Sequence, residues 1–514
     1  MTGTAARLAE LSPERLALLL KKLGSREVAS NDEIATLAEI QRREGCVLSF
    51  AQQRLWFLSQ MDPESASYNC HTSVRVEGRL DRKVLIRTLA ALVARHETLR
   101  TVFTEIDGEP RQKVLAAEAP RLPAVELSTV PNAPRTAEML RLIVAEQQRP
   151  FDLVRGPLLR CIAVRLASHE HVLLVTMHHI VSDGWSMGVL VGDFAEIYRA
   201  LCAGQVADLP KLPIQYADFA AWERRTLAGV SLERHLAWWR QTLEGAPSRL
   251  VLPTDRQRRQ GPARASYLPF MLDRSMPQEL AVLSKAESTT LFMTLLAGFS
   301  VFLGWFAGTD DLVVGSPIAN RSRPELESLI GFFVNALALR TRLAPEQTFR
   351  ELLGRTRGVC YGAYEHQELP FEKLVEVLQP VRVPEVHPLF QVTFTLQNAP
   401  RRGVDLLDLK MSTIDSEVGA VKFDLMLDVW EGTEALDAVF TYNAEIFYPS
   451  TIERFARLYR ELLIQAVARP DATISTLREV LSRLDGEIRT EQELGFRQGH
   501  TERLRTTRRR MVSA

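Results

Sequence analysis

Residues 172–187 constrain the fold of this chain more than any other segment. The segment begins with apolar and β-branched residues, reaches the adjacent histidines His178 and His179, and continues after Asp183-Gly184 into apolar residues spaced three and four positions apart. A short apolar run is typical of a buried strand, and the later spacing is typical of a helix. The segment therefore predicts a strand, a polar loop and a helix within an α/β protein.

The polar loop carries the candidate chemistry. Side chains alternate across a strand, so His178 and His179 are expected to point to opposite faces, and only one of them is expected to do chemistry. Asp183 lies close enough for its carboxylate to organise the loop, and Gly184 offers backbone freedom. Ser186 is a suitable N-cap for the following helix.

Two other interpretations of the same residues stay open at this point. A histidine at the end of a strand is often a packed structural group with no chemical role. A metal site built from two histidines and an aspartate is the second alternative, but neighbouring strand residues diverge and chelate one ion poorly. No metal is therefore expected.

Composition narrows the class of protein. The 514 residues include 63 basic and 63 acidic side chains, so the net charge gives no sign of a nucleic-acid or membrane partner. The five cysteines are scattered and form no C-x-x-C pair, which favours a reducing, cytoplasmic setting. The uncharged stretch from Phe292 to Gly308 is short for a membrane span and is predicted to be a buried core helix.

Changes in pattern along the chain divide it into four segments. The first is expected to be a helical appendage or linker, with an amphipathic helix between Ser12 and Gly24. The second and third are expected to be an amino-terminal lobe with the two histidines and a carboxy-terminal lobe with its own sheet. The fourth is rich in arginine and is expected to be a flexible tail. The predicted boundaries are 1–45, 46–212, 213–484 and 485–514.

A second histidine-containing segment, Arg95 to Thr101, places two arginines five positions apart. It is either a solvated helix end or the source of a guanidinium that holds the carboxylate of Asp183 in a fixed pose. We predict the latter, with Arg100 or Arg95 as the partner of Asp183.

These segments together resemble the condensation domain of nonribosomal peptide synthetases over most of residues 47–475. Six motifs carry the resemblance, and they occur in the order that the family shows. They are Ser49-Phe-Ala-Gln-Gln-Arg-Leu-Trp-Phe57, Arg95-His-Glu-Thr-Leu-Arg-Thr101, Met177-His-His-Ile-Val-Ser-Asp-Gly-Trp-Ser186, Tyr216-Ala-Asp-Phe-Ala-Ala-Trp222, Ile330-Gly-Phe-Phe-Val-Asn335 and Pro388-Leu-Phe-Gln391.

The resemblance implies two chloramphenicol-acetyltransferase-like lobes arranged as a V-shaped pseudo-dimer with a tunnel between them. It implies that donor and acceptor carrier proteins approach from opposite faces and thread 4′-phosphopantetheine arms toward His179. The acceptor amine would attack the donor thioester to form an amide, and no intrinsic cofactor would be needed. The chain is expected to be a monomer, with its termini available to neighbouring synthetase modules.

The resemblance also implies roles for residues of the site. His179 is expected to carry the chemistry, as a general base or by positioning the amine, while His178 and Asp183 hold the loop. A backbone N–H near Gly184 is expected to help position the thioester oxygen. Three further residues are expected to line the tunnel: Trp185, Ser186 and Asn335.

Details within the family leave alternatives. The residues of the motifs are similar to those of the subtype that joins an L-configured donor to an L-configured acceptor. His387 stands where the family commonly has asparagine, which adds a titratable group. No adenylation or carrier motif is recognisable, so the chain is expected to be free-standing or excised. The alternatives are an acyltransferase that uses a soluble amine or alcohol, and a non-catalytic scaffold for carrier proteins.

Overall fold

The structure of the chain is a computed structural model. The structure describes residues 33–258, 263–272, 275–381, 386–397, 409–414, 421–432 and 435–491. The predicted helix between Ser12 and Gly24 and residues 492–514 of the predicted tail lie outside the described residues.

The elements follow the alternation of strands and helices expected of an α/β protein. The strands are β1 (Cys46–Val47), β2 (Asn69–Glu77), β3 (Thr101–Ile106), β4 (Glu109–Val114), β5 (Ala124–Glu126), β6 (Leu159–Ala167), β7 (Glu170–His178), β8 (Ala265–Leu272), β9 (Asp311–Ile318), β10 (Asn335–Arg342), β11 (Val392–Gln397), β12 (Lys410–Thr413), β13 (Leu425–Glu431) and β14 (Leu436–Asn443). The helices are α1 (Glu39–Glu44), α2 (Phe50–Met61), α3 (Arg82–Arg95), α4 (Asn132–Gln147), α5 (Gly184–Cys202), α6 (Tyr216–Thr226), α7 (Gly229–Leu243), α8 (Met276–Ala286), α9 (Leu291–Ala307), α10 (Pro324–Glu327), α11 (Phe349–Glu365), α12 (Phe371–Leu378), α13 (Pro449–Ala468) and α14 (474–491).

A five-stranded sheet in the order β12-β2-β7-β6-β5 carries the histidines. Its centre is the antiparallel hairpin of β6 and β7. The edge strand β12 comes from far along the chain and pairs antiparallel with β2, so the carboxy-terminal half of the chain completes the first sheet. The sheet packs on α3 and α5, whose apolar faces share one buried cluster with it.

A six-stranded sheet in the order β10-β9-β11-β13-β14-β8 forms the second half of the fold. All six of its strands lie within residues 213–484, so the sheet expected for the carboxy-terminal lobe is present. The largest buried cluster covers this sheet with helices that include α9 and α13.

Helix α9 is the uncharged stretch that the sequence assigned to the core, and its residues from Phe292 to Gly304 are buried. This confirms the prediction of a core helix. Within the described ranges, no single helix has the length and apolar character needed to cross a bilayer. Helices α8 and α9 have that length and apolar character only when they are taken together, and the chain bends by 101° between them.

The prediction that the flexible tail begins at residue 485 is wrong, because α14 continues to residue 491. Ile488 is only 1% exposed and packs in the large core cluster. Asp485 accepts hydrogen bonds from Arg454 and Arg489, at 2.7 Å in both cases. Apolar burial and these two contacts hold residues 485–491 in the helix.

Candidate active site

The two histidines stand where the central strand of the first sheet ends. His178 is the last residue of β7, and His179 opens a single 3₁₀ turn that ends at Val181. The backbone N–H of His179 donates to the carbonyl oxygen of Tyr68 (2.8 Å), and that of His178 donates to the carbonyl of Leu158 (3.1 Å). Strand alternation therefore stops at His178, and the turn that follows sets the direction of the His179 side chain.

The imidazole of His179 is held in one tautomer. Its Nδ1 lies 2.6 Å from the carbonyl oxygen of Ser182, which can only accept, so Nδ1 carries the proton. Nε2 then keeps a lone pair, and no described residue forms a hydrogen bond with it. The ring contacts Phe332 edge-on, with ring centroids 4.6 Å apart, and is only partly buried. His179 thus presents a proton acceptor.

The surroundings of His179 favour its neutral form. Burial is the largest cause that lowers the pKa of His179 below its usual value, and the positive charge of Lys422 lowers it further. The carbonyl of Ser182 and the carboxylate of Asp183 act in the opposite direction but do not reverse the shift. The imidazole is consequently unprotonated at neutral pH and free to accept a proton.

His178 has the properties of a packed structural group. Its ring is 6% exposed and lies near the rings of Tyr68 and Phe151. Its Nδ1 accepts the backbone N–H of Ile180 at 3.1 Å, which fixes the 3₁₀ turn. Burial is the largest cause that lowers the pKa of His178 to about 3, and protonation of the neighbouring His179 would oppose a second charge on it. A group that stays neutral and has Nδ1 occupied fits the structural role expected for it.

Asp183 forms its ion pair with Arg321, and the predicted pairing with Arg95 or Arg100 is wrong. Nη2 of Arg321 lies 3.1 Å from Oδ1, and the two side chains are 1% and 2% exposed. Oδ2 accepts the backbone N–H of Phe333 at 3.0 Å. Asp183 therefore joins the histidine loop to the segment between β9 and β10.

The two predicted arginines have other partners. Nε of Arg95 donates to Oδ2 of Asp193 at 2.8 Å, and the same oxygen lies 2.8 Å from Nε2 of His96. Arg100 pairs with Glu97 at 3.5 Å and donates to the carbonyl of Leu115. Asp193 lies on the face of α5 that packs on α3, within reach of Arg95. Asp183 sits at the opposite, amino-terminal end of α5, where the second half of the chain approaches.

Asp183, and not Ser186, caps α5. Its Oδ1 accepts the backbone N–H of Ser186 at 2.8 Å and the Ser186 hydroxyl at 2.7 Å. The same hydroxyl accepts the backbone N–H of Gly331 (3.0 Å) and Nη2 of Arg321 (2.9 Å). The Ser186 side chain is 0% exposed and bridges two distant parts of the chain. These contacts leave it no free group for a substrate.

Gly184, the first residue of α5, faces open space. Its backbone does not adopt a left-handed conformation, and a Cβ added to it would meet no atom within 4 Å. The turn therefore does not need glycine for its conformation, contrary to the expectation from the sequence. The neighbouring Trp185 is half-buried, and its indole N–H donates to the carbonyl of Glu327 at 2.9 Å.

Asn335 has its whole amide engaged within the protein. Its Nδ2 donates to the carbonyls of Gln367 (2.9 Å) and Leu369 (2.8 Å). Its Oδ1 accepts the backbone N–H groups of Phe371 and Ala336, each at 2.9 Å. The side chain joins β10 to the loop before α12, which is a structural arrangement.

Several functional contacts escaped the sequence analysis. The hydroxyl of Tyr216 donates to the carbonyl of Phe332 at 2.6 Å and lies 2.9 Å from the Ser49 hydroxyl. A Cβ on Gly331 would lie 2.0 Å from the Tyr216 ring, so this position requires glycine. Three of the recognised motifs therefore meet at one point beside His179. Arg321 lies outside those motifs, and its buried position was not predicted.

The described residues do not form the alternative metal site. Asp183 directs both carboxylate oxygens to protein donors, and Nδ1 of His179 is bonded to a carbonyl. Nowhere in the described ranges are three or more His, Cys, Asp or Glu side chains grouped in a way that could hold an ion.

Solved structures define the class of fold. The chain is similar to the X-domain from teicoplanin biosynthesis, solved in complex with OxyB, with a TM-score of 0.78 and 28% identity over 88% of this chain and 99% of that chain. It is also similar to the first condensation domain of the calcium-dependent antibiotic synthetase, with a TM-score of 0.68 and 24% identity over 84% of this chain and 99% of that chain. The protein has the two-lobed, chloramphenicol-acetyltransferase-like α/β fold of condensation domains.

Sequence comparisons then define the family. A family model described as "Condensation domain" matches residues 43–487. One of the linear gramicidin synthase subunits of Brevibacillus parabrevis is 45% identical over 86% of this chain and 6% of its own length. A phosphinothricin tripeptide synthetase of Streptomyces viridochromogenes is 39% identical over 96% of this chain and 45% of its own length. The chain belongs to the condensation domain family, whose members are acyltransferases that form amide bonds in nonribosomal peptide synthesis.

Proposed function

We propose that this domain joins a carrier-bound donor acyl or peptidyl thioester to the amine of a carrier-bound acceptor, with His179 as the residue that acts on the amine. The observation that carries the proposal is the contact between Nδ1 of His179 and the carbonyl of Ser182, which leaves Nε2 as an acceptor. The chain spans less than half the length of the curated relatives named above, so their substrates and partners enter only as part of this proposal.

The reaction needs no nucleophile from the protein. The neutral amine attacks the carbonyl carbon of the thioester, a C–N bond forms, and the C–S bond breaks. One proton of the amine passes to Nε2 of His179 and then to the departing thiolate, so that thioester and amine become amide and thiol. A neutral imidazole suits this task because it accepts the proton at the pH of the reaction. In this proposal a backbone N–H near Gly184 helps to position the thioester oxygen.

Asp183 and His178 have supporting roles in this proposal. The buried contact of Asp183 with Arg321 fixes the start of α5, and Nδ1 of His178 fixes the 3₁₀ turn. Together they hold the ends of the loop that orients His179. Trp185 is the remaining candidate for a tunnel wall near the start of α5, since the polar groups of Ser186 and Asn335 are engaged within the protein.

We propose that the partners are donor and acceptor carrier proteins that present their substrates on 4′-phosphopantetheine arms. The synthetase relatives support this proposal, because condensation domains occur within them. The L-donor and L-acceptor subtype, the monomeric state and contacts with neighbouring modules stay predictions from the sequence. A cytoplasmic setting also stays a prediction, and it fits the free state of all five cysteines.

The test is a reaction with two purified carrier proteins, one loaded with an aminoacyl donor and one with an aminoacyl acceptor. Mass spectrometry of the intact acceptor carrier should show the mass of a dipeptidyl product only when the domain is present. A parallel reaction supplies the acceptor as a free amine or alcohol. Product from the free acceptor alone would favour the alternative of a soluble-acceptor acyltransferase. Carrier binding with no product from either acceptor would favour a scaffold.

A further inference from the structure

Lys422 lies close to the two histidines although it comes from the opposite half of the chain. Its ammonium nitrogen stands 3.9 Å from the centre of the Tyr68 ring, a distance typical of a cation–π contact. The carbonyl of the same Tyr68 accepts the backbone N–H of His179, and the Tyr68 ring lies 6.4 Å from that of His178. One residue therefore contacts both the cation and the catalytic turn.

The backbone beside Lys422 is firmly anchored. Val421 donates its N–H to the carbonyl of Ala263 at 3.1 Å, and Asp424 donates its N–H to the carbonyl of Gln391 at 2.9 Å. The ring of Phe423 stacks on that of Phe390 with centroids 5.7 Å apart. Lys422 thus lies just before β13, at a point where the backbone is fixed on both sides.

The environment of the Lys422 ammonium is unusual for a lysine. Its side chain is accessible to water, yet burial is the largest cause that lowers its pKa to about 8. In the described part of the chain, no carboxylate is ion-paired with it, so its charge is not cancelled locally.

The charge of Lys422 acts on both histidines and opposes their protonation. The positive charge of Lys422 disfavours a second positive charge on the His179 imidazole, whereas the negative charge of the Asp183 carboxylate favours it. The groups that face this cluster from the surrounding elements are Cys70 and Tyr68 near β2, Arg54 on α2 with its partner Glu372 on α12, Arg160 on β6 and His387 before β11.

We propose that Lys422, held on the face of Tyr68, is a positioning residue that acts through His179 to keep its imidazole available as a proton acceptor. The role in turnover rests on the proposed function of His179. The effect on the imidazole itself does not, so the two proposals can fail separately.

The test is a titration of the full chain labelled with ¹⁵N-histidine, in which the His179 signal is identified by its loss in His179→Gln. In Lys422→Met the imidazole should take up its proton at a higher pH than in the unsubstituted protein. Lys422→Arg, which keeps the charge, should titrate like the unsubstituted protein. The exposed Lys285 supplies the matched control, because Lys285→Met removes the same charge far from the site.

Variants of Tyr68 test the contact independently. Tyr68→Phe keeps an aromatic face and should leave the titration unchanged, whereas Tyr68→Leu should move it in the direction of Lys422→Met. In the two-carrier reaction, Lys422→Met should lose rate relative to its own alkaline plateau as the pH falls to about 6, and by a larger factor than the unsubstituted protein loses. An unchanged His179 titration in Lys422→Met would overturn the proposal, even if the rate falls.

Discussion

Replacing Asp183 by asparagine should loosen the contact that joins the histidine loop to the segment between β9 and β10. The substitution takes away the negative charge that Asp183 places against the Arg321 guanidinium, which is 1% exposed. In the unsubstituted protein Oδ2 accepts the backbone N–H of Phe333 at 3.0 Å. If the amide nitrogen of the new asparagine takes the place of Oδ2, two donors face each other. Removing one partner of a buried pair costs about 3–5 kcal/mol.

Hydrogen exchange measured by mass spectrometry reports this loss where it occurs. Peptides that contain the N–H groups of Ser186 and Phe333 should exchange about 10²–10⁴-fold faster in Asp183→Asn, the rate ratio that corresponds to about 3–5 kcal/mol of easier opening. Glu196→Gln is the control, because it breaks an exposed pair with Arg199 that contributes little. Adding Arg321→Met to Asp183→Asn should slow the exchange again, because it removes the buried guanidinium that has lost the Asp183 carboxylate. Equal exchange in Asp183→Asn and Glu196→Gln would refute the reasoning.

Three further outcomes are expected. Gly184→Ala should keep the melting temperature, because the added Cβ meets no atom within 4 Å. If the donor thioester occupies that space, the same substitution should lower turnover about tenfold or more. Unchanged turnover would show that Gly184 is not part of the site. Tyr216→Phe should lower the free energy of unfolding by about 1–3 kcal/mol, because the buried carbonyl of Phe332 loses the hydroxyl that donates to it. Urea titration measures this change, and a loss below about 0.5 kcal/mol would argue against this account. Burial lowers the pKa of His387 to about 4, so the unfolded chain binds its proton first and stability falls as the pH drops from about 6.5 to about 4. His387→Asn should reduce that slope by up to about 1.4 kcal/mol per pH unit.

Local pattern was sufficient to predict the elements that carry the histidines. The apolar run into His178 and the helical spacing after Gly184 correspond to β7 and α5. Both Asp183 and Ser186 are good capping residues, so pattern alone did not decide which of them starts the helix. The structure shows that the carboxylate does, because it can accept several donors at once.

Long-range contacts were beyond the reach of a single sequence. Asp183 and Arg321 are 138 positions apart, and nothing in the local pattern distinguishes Arg321 from other arginines. Arg95 and Arg100 were plausible partners, but α3 approaches α5 beside Asp193 and not at its first turn. Lys422 was missed for the same reason, since only the pairing of distant strands brings it beside Tyr68.

The central claim is that Nε2 of His179 accepts the proton of the attacking amine. The most direct test is the single-turnover rate of amide formation between two loaded carrier proteins, measured for the unsubstituted domain and for His179→Ala, with hydrogen exchange to establish that the fold is intact. The account predicts a loss of about 10²-fold or more in His179→Ala. A folded His179→Ala domain that forms the amide at the unsubstituted rate would contradict it.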